Sequence, residues 1–196
     1  MLGQETTLDL RVEGEHNFIA DGIVVHNTGI QRSSATPKGA ITTTAPVGEA
    51  ILGKTQFQKD LTGILAAHRI PYVAQASPSH WNDLITKVQK ALSIEGPKFI
   101  NVLSPCPPGW GYEQSHTVEL AKLAVETCFW PLFEVENGLW KITYKPKEIK
   151  PLSEWISLQG RFRHLSQSAN KAVLDELQNF INKNWQDLLK KAGEAA

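Results

Sequence analysis

The stretch KFINVLSPCPPGWG, residues 98–111, decides the fold. Phe99, Ile100, Val102 and Leu103 make residues 98–103 read as a buried strand. The Ser, Pro and Gly residues that follow end it in a loop. A second strand-like run, PYVAQA at 71–76, lies upstream, and apolar residues recur at helical spacing on both sides. Leu61, Ile64, Leu65 and His68 mark a helix over 57–68. Trp81, Leu84, Ile85, Val88 and Leu92 mark one over 80–93. Val118, Leu120, Leu123, Ala124 and Cys128 mark one over 114–128. Strands 131–136 and 139–144 flank Asn137-Gly138, a hairpin dipeptide. After the basic link KPKEIKP, helices are expected near 152–159 and over 169–191. The last carries Leu174, Leu177, Ile181, Trp185 and Leu188 as its apolar stripe.

Alternating strands and helices predict an α/β fold with a parallel sheet covered by helices. Ligand sites of such sheets gather at the carboxyl ends of strands, which makes the loop after 98–103 a natural site position. Three core strands make a thin sheet, so the pattern reads as part of a doubly wound domain lacking a partner half.

The first 30 residues read differently. Leu8, Leu10 and Val12 alternate like a half-buried strand. HNFIA and GIVVH form two short strands around Asp21-Gly22, and no helix signal appears. Residues 1–27 hold one arginine against five acidic residues, net −4, and the remainder carries +4. From Thr28 to about Thr55, Thr, Ser, Gly and Pro dominate.

With zero net charge there is no electrostatic case for nucleic acid or an anionic membrane. No apolar run reaches the roughly 20 residues of a membrane span, and no signal peptide is expected. Two cysteines make no disulfide framework, so a reducing, cytoplasmic setting is the default.

The segment DLRVEGEHNFIADGIVVHN, Asp9 to Asn27, followed by Thr28, resembles the C-terminal end of an intein. The chemistry suits these residue types. The Asn27 side-chain amide can attack its own main-chain carbonyl, close a five-membered succinimide and cut the bond to Thr28. Both nucleophile and leaving group are poor, so the step needs acid–base help. The resemblance implies that His26 supports the leaving group, that His16 assists deprotonation of the amide, and that Asp9 couples the steps. Thr28 supplies the hydroxyl that first accepts the upstream chain as an ester. An N-terminal intein and extein fragment is then an expected partner. It could be a separate polypeptide, or the reading frame could be a truncated piece of a larger gene.

TGIQRSSATPKGAITTTAPVG, KDLTGILAAHRIPYVAQASP, GPKFINVLSPCPPGWGY, ELAKLAVETCFWPLFEVENG and LQGRFRHL together resemble the C-terminal half of the β subunit of 2-oxoacid:ferredoxin oxidoreductases, of pyruvate and branched-chain type. The resemblance covers nearly all of 28–196. It implies the C-terminal part of a doubly wound domain that binds thiamine diphosphate and magnesium, with Thr28 and Gly29 in the cofactor loop. It implies that Cys106 is the last of four thiolates on a [4Fe–4S] cluster. The family's magnesium aspartate and other three cysteines are absent from this chain. Implied partners are the missing half, the α and other subunits, coenzyme A and ferredoxin. Cys128, on an amphipathic helix, reads as core.

The residues leave rivals. GEAILGKT, Gly48 to Thr55, satisfies the phosphate-binding pattern G-x4-G-K-[ST], although Glu49, Ile51 and Leu52 suit phosphates poorly. An inactive fragment carrying an intein remnant is a further alternative. His68, His80, His116 and His164 show no ligand spacing.

Overall fold

The computed structural model describes residues 17–20, 23–26, 31–48, 51–166 and 170–194. Strands β1 (Asn17–Ala20) and β2 (Ile23–His26) pair antiparallel, with Asn17 opposite His26 and Ala20 opposite Ile23. The turn dipeptide Asp21-Gly22 and the strand expected around Leu8–Val12 lie outside the described residues.

A four-stranded sheet organises the rest. Its order is β4 (Lys98–Val102), β3 (Tyr72–Ala76), β5 (Leu132–Glu136), β6 (Leu139–Tyr144). Strands β3 and β4 are parallel, as the alternation predicts, but β5 runs antiparallel to β3 and β6 antiparallel to β5. The sheet is therefore mixed rather than parallel. Helix α4 (Thr117–Glu126) returns the chain to the carboxyl end of β3, where the Trp130 indole N–H donates to Ala76 O at 2.8 Å. A strand that starts where β3 ends can only run back along it. Asn137 and Gly138, both at positive φ, then turn β5 into β6.

Helix α1 spans Leu61–Ala67, three turns' worth of pattern cut to two. It cannot start at residue 57 because the Asp60 carboxylate accepts from Gly63 N–H at 2.8 Å and caps the helix there. The expected helix over 114–128 opens instead as a 3₁₀ turn, Gln114–His116, before α4, and it ends at Glu126. Helix α5 covers Leu152–Ser157 and passes into a 3₁₀ stretch, Gly160–Ser166, and α6 covers Lys171–Lys191.

The main core lies on the sheet face of Val73, Phe99 and Phe133. There α4, α5 and α6 contribute Leu120, Trp155, Leu177, Ile181 and Trp185. Trp155 is wholly buried, stacks on Phe129 at 4.1 Å, meets Trp110 edge-on at 5.9 Å and donates its indole N–H to Leu120 O. This aromatic knot ties the loop after β4 to the body of the domain.

Helix α2 (Trp81–Ser93) forms where the spacing predicts a helix over 80–93. Its apolar stripe does not face the sheet: Trp81 is 62 % exposed and Leu92 79 %, with Ile85 and Val88 also exposed. The face turned inward carries Lys87 and Ala91. Lys87 is 1 % exposed, and its ammonium donates to Gln75 O (2.8 Å), Asp83 Oδ2 (2.6 Å) and Thr143 Oγ1 (2.8 Å). Beside it Lys90 bridges Glu134 and Glu136, and the Tyr72 hydroxyl donates to Glu134. Burial pushes Glu134 up, but the bonds from Lys90 and Tyr72 outweigh it and hold the carboxyl below its usual range. Under α2 the strands offer a small apolar patch, where Tyr72 and Ala74 pack with Ala91, Ile94 and Ile100, flanked by the polar groups that Lys87 and Lys90 meet.

Candidate functional site

Two loops meet at the carboxyl ends of β3 and β4. The first follows β4. Leu103 N–H bonds to Ala76 O, after which Ser104 and Pro105 lead to Cys106 at the entrance of a single helical turn, α3 (Pro107–Trp110). Two prolines at the start of this turn fix its entry. Gly111, at φ 71°, closes it by donating to Pro107 O. A side chain at Gly111 would also meet the Gly160 Cα at 3.3 Å, so glycine suits both the turn and the contact. Gly160 N–H donates to Gly111 O at 2.9 Å and draws the 3₁₀ stretch 160–166 against the Cys106 loop.

That contact seats Arg161. Its guanidinium lies over Trp110 at 4.0 Å, with Phe162 at 5.0 Å and Trp155 at 5.6 Å. Its Nε donates to Gln159 Oε1, and Gln159 in turn donates to Trp155 O. Burial pushes the guanidinium down to about 9, against the opposing influence of Cys106 and Tyr112. Arg161 does not stand out in LQGRFRHL as a sequence. No local pattern marks it, because the ring it lies over, Trp110, and the Cys106 turn sit about 50 residues upstream.

The second loop runs through residues 31–56. Lys54, 5 % exposed, donates from its ammonium to Ser33 O (2.9 Å) and Thr36 O (2.6 Å). Its backbone pairs with Gly39 and Ala40. Gly53, at φ 76°, admits no side chain, since a Cβ there would sit 2.7 Å from Gly39 O and Ala40 O. This removes the phosphate-loop reading of 48–55. The lysine is a tether for residues 33–36, Gly48 N–H is closed onto Ile51 O, and among the described residues after Gly48 no helix begins before Leu61.

Burial first, then the charges of Arg32 and Lys59, push Lys54 down to about 8 from 10.5. Between those values the unfolded chain holds the extra proton, so the Lys54 contribution to stability rises with pH. Subtracting the urea-unfolding free energy of Lys54→Met from that of the wild type should give a difference that climbs from pH 8 to 10.5. Contributions from groups that do not interact with Lys54 cancel in this difference. At pH 7 the variant should be less stable by about 2 kcal/mol, because Ser33 O and Thr36 O lose their donor. A flat difference curve would refute the buried tether.

Between the two loops and the sheet lies a cavity of about 790 Å³, lined among others by Ser33, Lys59, Gln75, Asn101, Ser104 and Arg161. A buried chain of hydrogen bonds borders it. Asn101 donates to the Thr62 hydroxyl, Thr62 to Gln75 Oε1, and Gln75 to Pro131 O.

The sequence-derived site residues fare unequally. Cys106 is a free, half-buried thiol in the strand-end loop, where the α/β pattern placed it. Cys128 is core: it is buried, and burial pushes its thiol up to about 12. His26 ends β2, its backbone opposite Asn17. Asp9, His16, Asn27, Thr28 and Gly29 lie outside the described residues. Among the described residues no three His, Cys, Asp or Glu side chains gather as a metal site. His80 accepts or donates with Ser79 and meets Tyr144 edge-on, while His116 pairs with Glu119.

Fold and site thus define an α/β chain with a cysteine-bearing loop at the carboxyl end of its parallel strand pair. Comparison with known proteins narrows this. The chain is 53 % identical over 156 residues to the pyruvate synthase subunit PorB of Methanocaldococcus jannaschii, covering 80 % of this chain and 51 % of that protein. It is 49 % identical over 164 residues to PorB of Thermotoga maritima, covering 83 % and 51 %. It is 45 % identical over 168 residues to the ketoisovalerate oxidoreductase subunit VorB of Pyrococcus horikoshii, covering 85 % and 53 %. The chain spans about half the length of these curated relatives. No family model matches it.

Proposed function

We propose that residues 28–196 are the C-terminal half of the β subunit of a 2-oxoacid:ferredoxin oxidoreductase. We read residues 1–27 as the C-terminal segment of an intein that splices at Asn27–Thr28. The observation that carries the first part is the roughly 50 % identity, over about four-fifths of the chain, to subunits named as parts of pyruvate synthase and ketoisovalerate oxidoreductase. The second part rests on His16, His26, Asn27 and Thr28 standing in register in the sequence.

The reaction is oxidative decarboxylation of a 2-oxoacid, pyruvate being the first candidate, with transfer of the acyl group to coenzyme A and of electrons to ferredoxin. Thiamine diphosphate, when bound with magnesium, supplies the electron sink for decarboxylation. Thr28 and Gly29 would lie against it, where a short hydroxyl and a bare backbone permit close approach. The Lys54 tether holds the segment just downstream, Ser33 to Thr36, in one conformation.

Cys106 fits one corner of a [4Fe–4S] cluster. It is a half-buried thiol on a fixed loop, with a buried cation nearby. A cluster takes four thiolates, and the only other cysteine of the chain is core. Three ligands must therefore come from the upstream half, and the chain alone should not turn over. The remaining partners are the other subunits of the enzyme, and the setting is cytoplasmic. Among the described residues no helix is long and apolar enough to cross a membrane.

The test is Cys106→Ala in the assembled enzyme. One cluster should be lost, a drop of about four iron atoms per β subunit by metal analysis. Full iron content in that variant would remove Cys106 from the cluster.

A further inference from the structure

Arg161 is 6 % exposed, and among the described residues no carboxylate lies within ion-pair distance of it. Its Nη2 is buried without a hydrogen-bond partner. Ring contacts return about 2 kcal/mol to a desolvated cation, less than the several kcal/mol that burying an ion costs. The chain nevertheless pins this residue. Ile41 N–H donates to Arg161 O, and Gly160 N–H donates to Gly111 O. The second bond holds the backbone beside Arg161 against the loop that carries Cys106, and the first ties the Arg161 backbone to the 31–48 segment. Cys106 and Tyr112 lie close enough to act on it electrostatically, each opposing the effect of burial. Trp110 lies under the guanidinium and donates its backbone N–H to Cys106 O at 2.9 Å, which ties the ring beneath the cation to the backbone of the Cys106 turn.

We propose that Arg161 is a positioning residue whose guanidinium is the fixed counter-charge for an anionic group ligated by Cys106. The inference rests on the reading of Cys106 as a cluster ligand. A cluster on four thiolates is an anion, and taking up one electron makes it more negative by one charge. A fixed cation in a poorly screened interior stabilises the reduced form over the oxidised one. Arg161 therefore raises the reduction potential of the cluster held by Cys106 and leaves its iron content unchanged.

The experiment is a redox titration of the assembled holoenzyme followed by electron paramagnetic resonance, with wild type, Arg161→Met, Arg161→Gln and Arg161→Lys. Removing the charge should disfavour reduction of that cluster at least tenfold, a fall of about 59 mV for one electron. Lysine should recover most of the shift, and the other clusters should not move. If Arg161→Met does not assemble, the Gln and Lys pair decides: a shift in Gln that Lys reverses supports the proposal. An unchanged potential in the charge-removed variants overturns it, and leaves the cluster reading intact if Cys106→Ala still loses iron. Retention of all iron in Cys106→Ala overturns both.

Discussion

Replacing Lys87 by alanine should destabilise the folded chain by about 3–5 kcal/mol, the largest single-residue stability effect we expect. The ammonium is almost wholly buried and spends its three donors on Gln75 O, Asp83 and Thr143. Truncation leaves Asp83 as a half-shielded carboxylate without its cation. It orphans a strand carbonyl and opens a void where the lysine stem had packed. Lys87→Met keeps most of that volume and should cost about 2 kcal/mol, so the gap between the two variants separates packing from polar loss. Burial pushes Lys87 below its usual range, against the opposing pull of Asp83. The unfolded chain therefore holds more protons just below pH 10.5, and this residue's own contribution grows with pH in that window. Urea midpoints read all three effects, provided the slope with denaturant stays constant. A loss below 1 kcal/mol for alanine would mean that α2 is not anchored through its cationic face.

The same helix shows where sequence reading stops. Spacing located α2 and identified its apolar stripe, but periodicity says only which residues share a side. It does not say which side the sheet wants. The strand surface beneath α2 offers the Tyr72 hydroxyl, Glu134 and a strand carbonyl beside the small apolar patch at Ala74, so Lys87 and Ala91 take the buried positions and Lys90 reaches in from the edge. Where the opposing surface is apolar, as over Val73 and Phe133, the stripe of α6 does point inward through Leu177, Ile181 and Trp185. The β5–β6 hairpin was legible because Asn-Gly encodes its turn locally. The direction of β5 against β3 was not, since it depends on Trp130 reaching Ala76 across 54 residues. The site divides in the same way. The place of Cys106 in a loop at the end of β4 was legible. Arg161 and the Lys54 tether were not, because burial and long-range backbone acceptors define them. Lys54 shows the hazard directly: a pattern shared with phosphate-binding loops here serves as a strap.

The second large effect concerns the junction. With the N-terminal intein segment supplied, Asn27→Ala should abolish release of residues 28–196. Intact-mass analysis should then show the unprocessed chain, or a branched ester at Thr28, in place of a free or ligated product. The reason is ring size. The Asn27 amide nitrogen reaches its own carbonyl carbon through a five-membered ring, and the C–N bond to Thr28 breaks as the new one forms. The proton lost from the amide passes to the Thr28 nitrogen, so no water is consumed. Alanine has no nucleophile, and no neighbour can replace it with so little strain. His26→Ala should slow the step rather than stop it, because it removes help to the leaving group but not the attacking atom. Unchanged release from Asn27→Ala would sink the splicing reading and leave the oxidoreductase reading untouched. Thr28 carries a consequence for both. It would serve first as the acceptor of the upstream chain and afterwards as part of the cofactor loop. Oxidoreductase activity should therefore appear only with the ligated mass, and unligated halves mixed together should stay inactive.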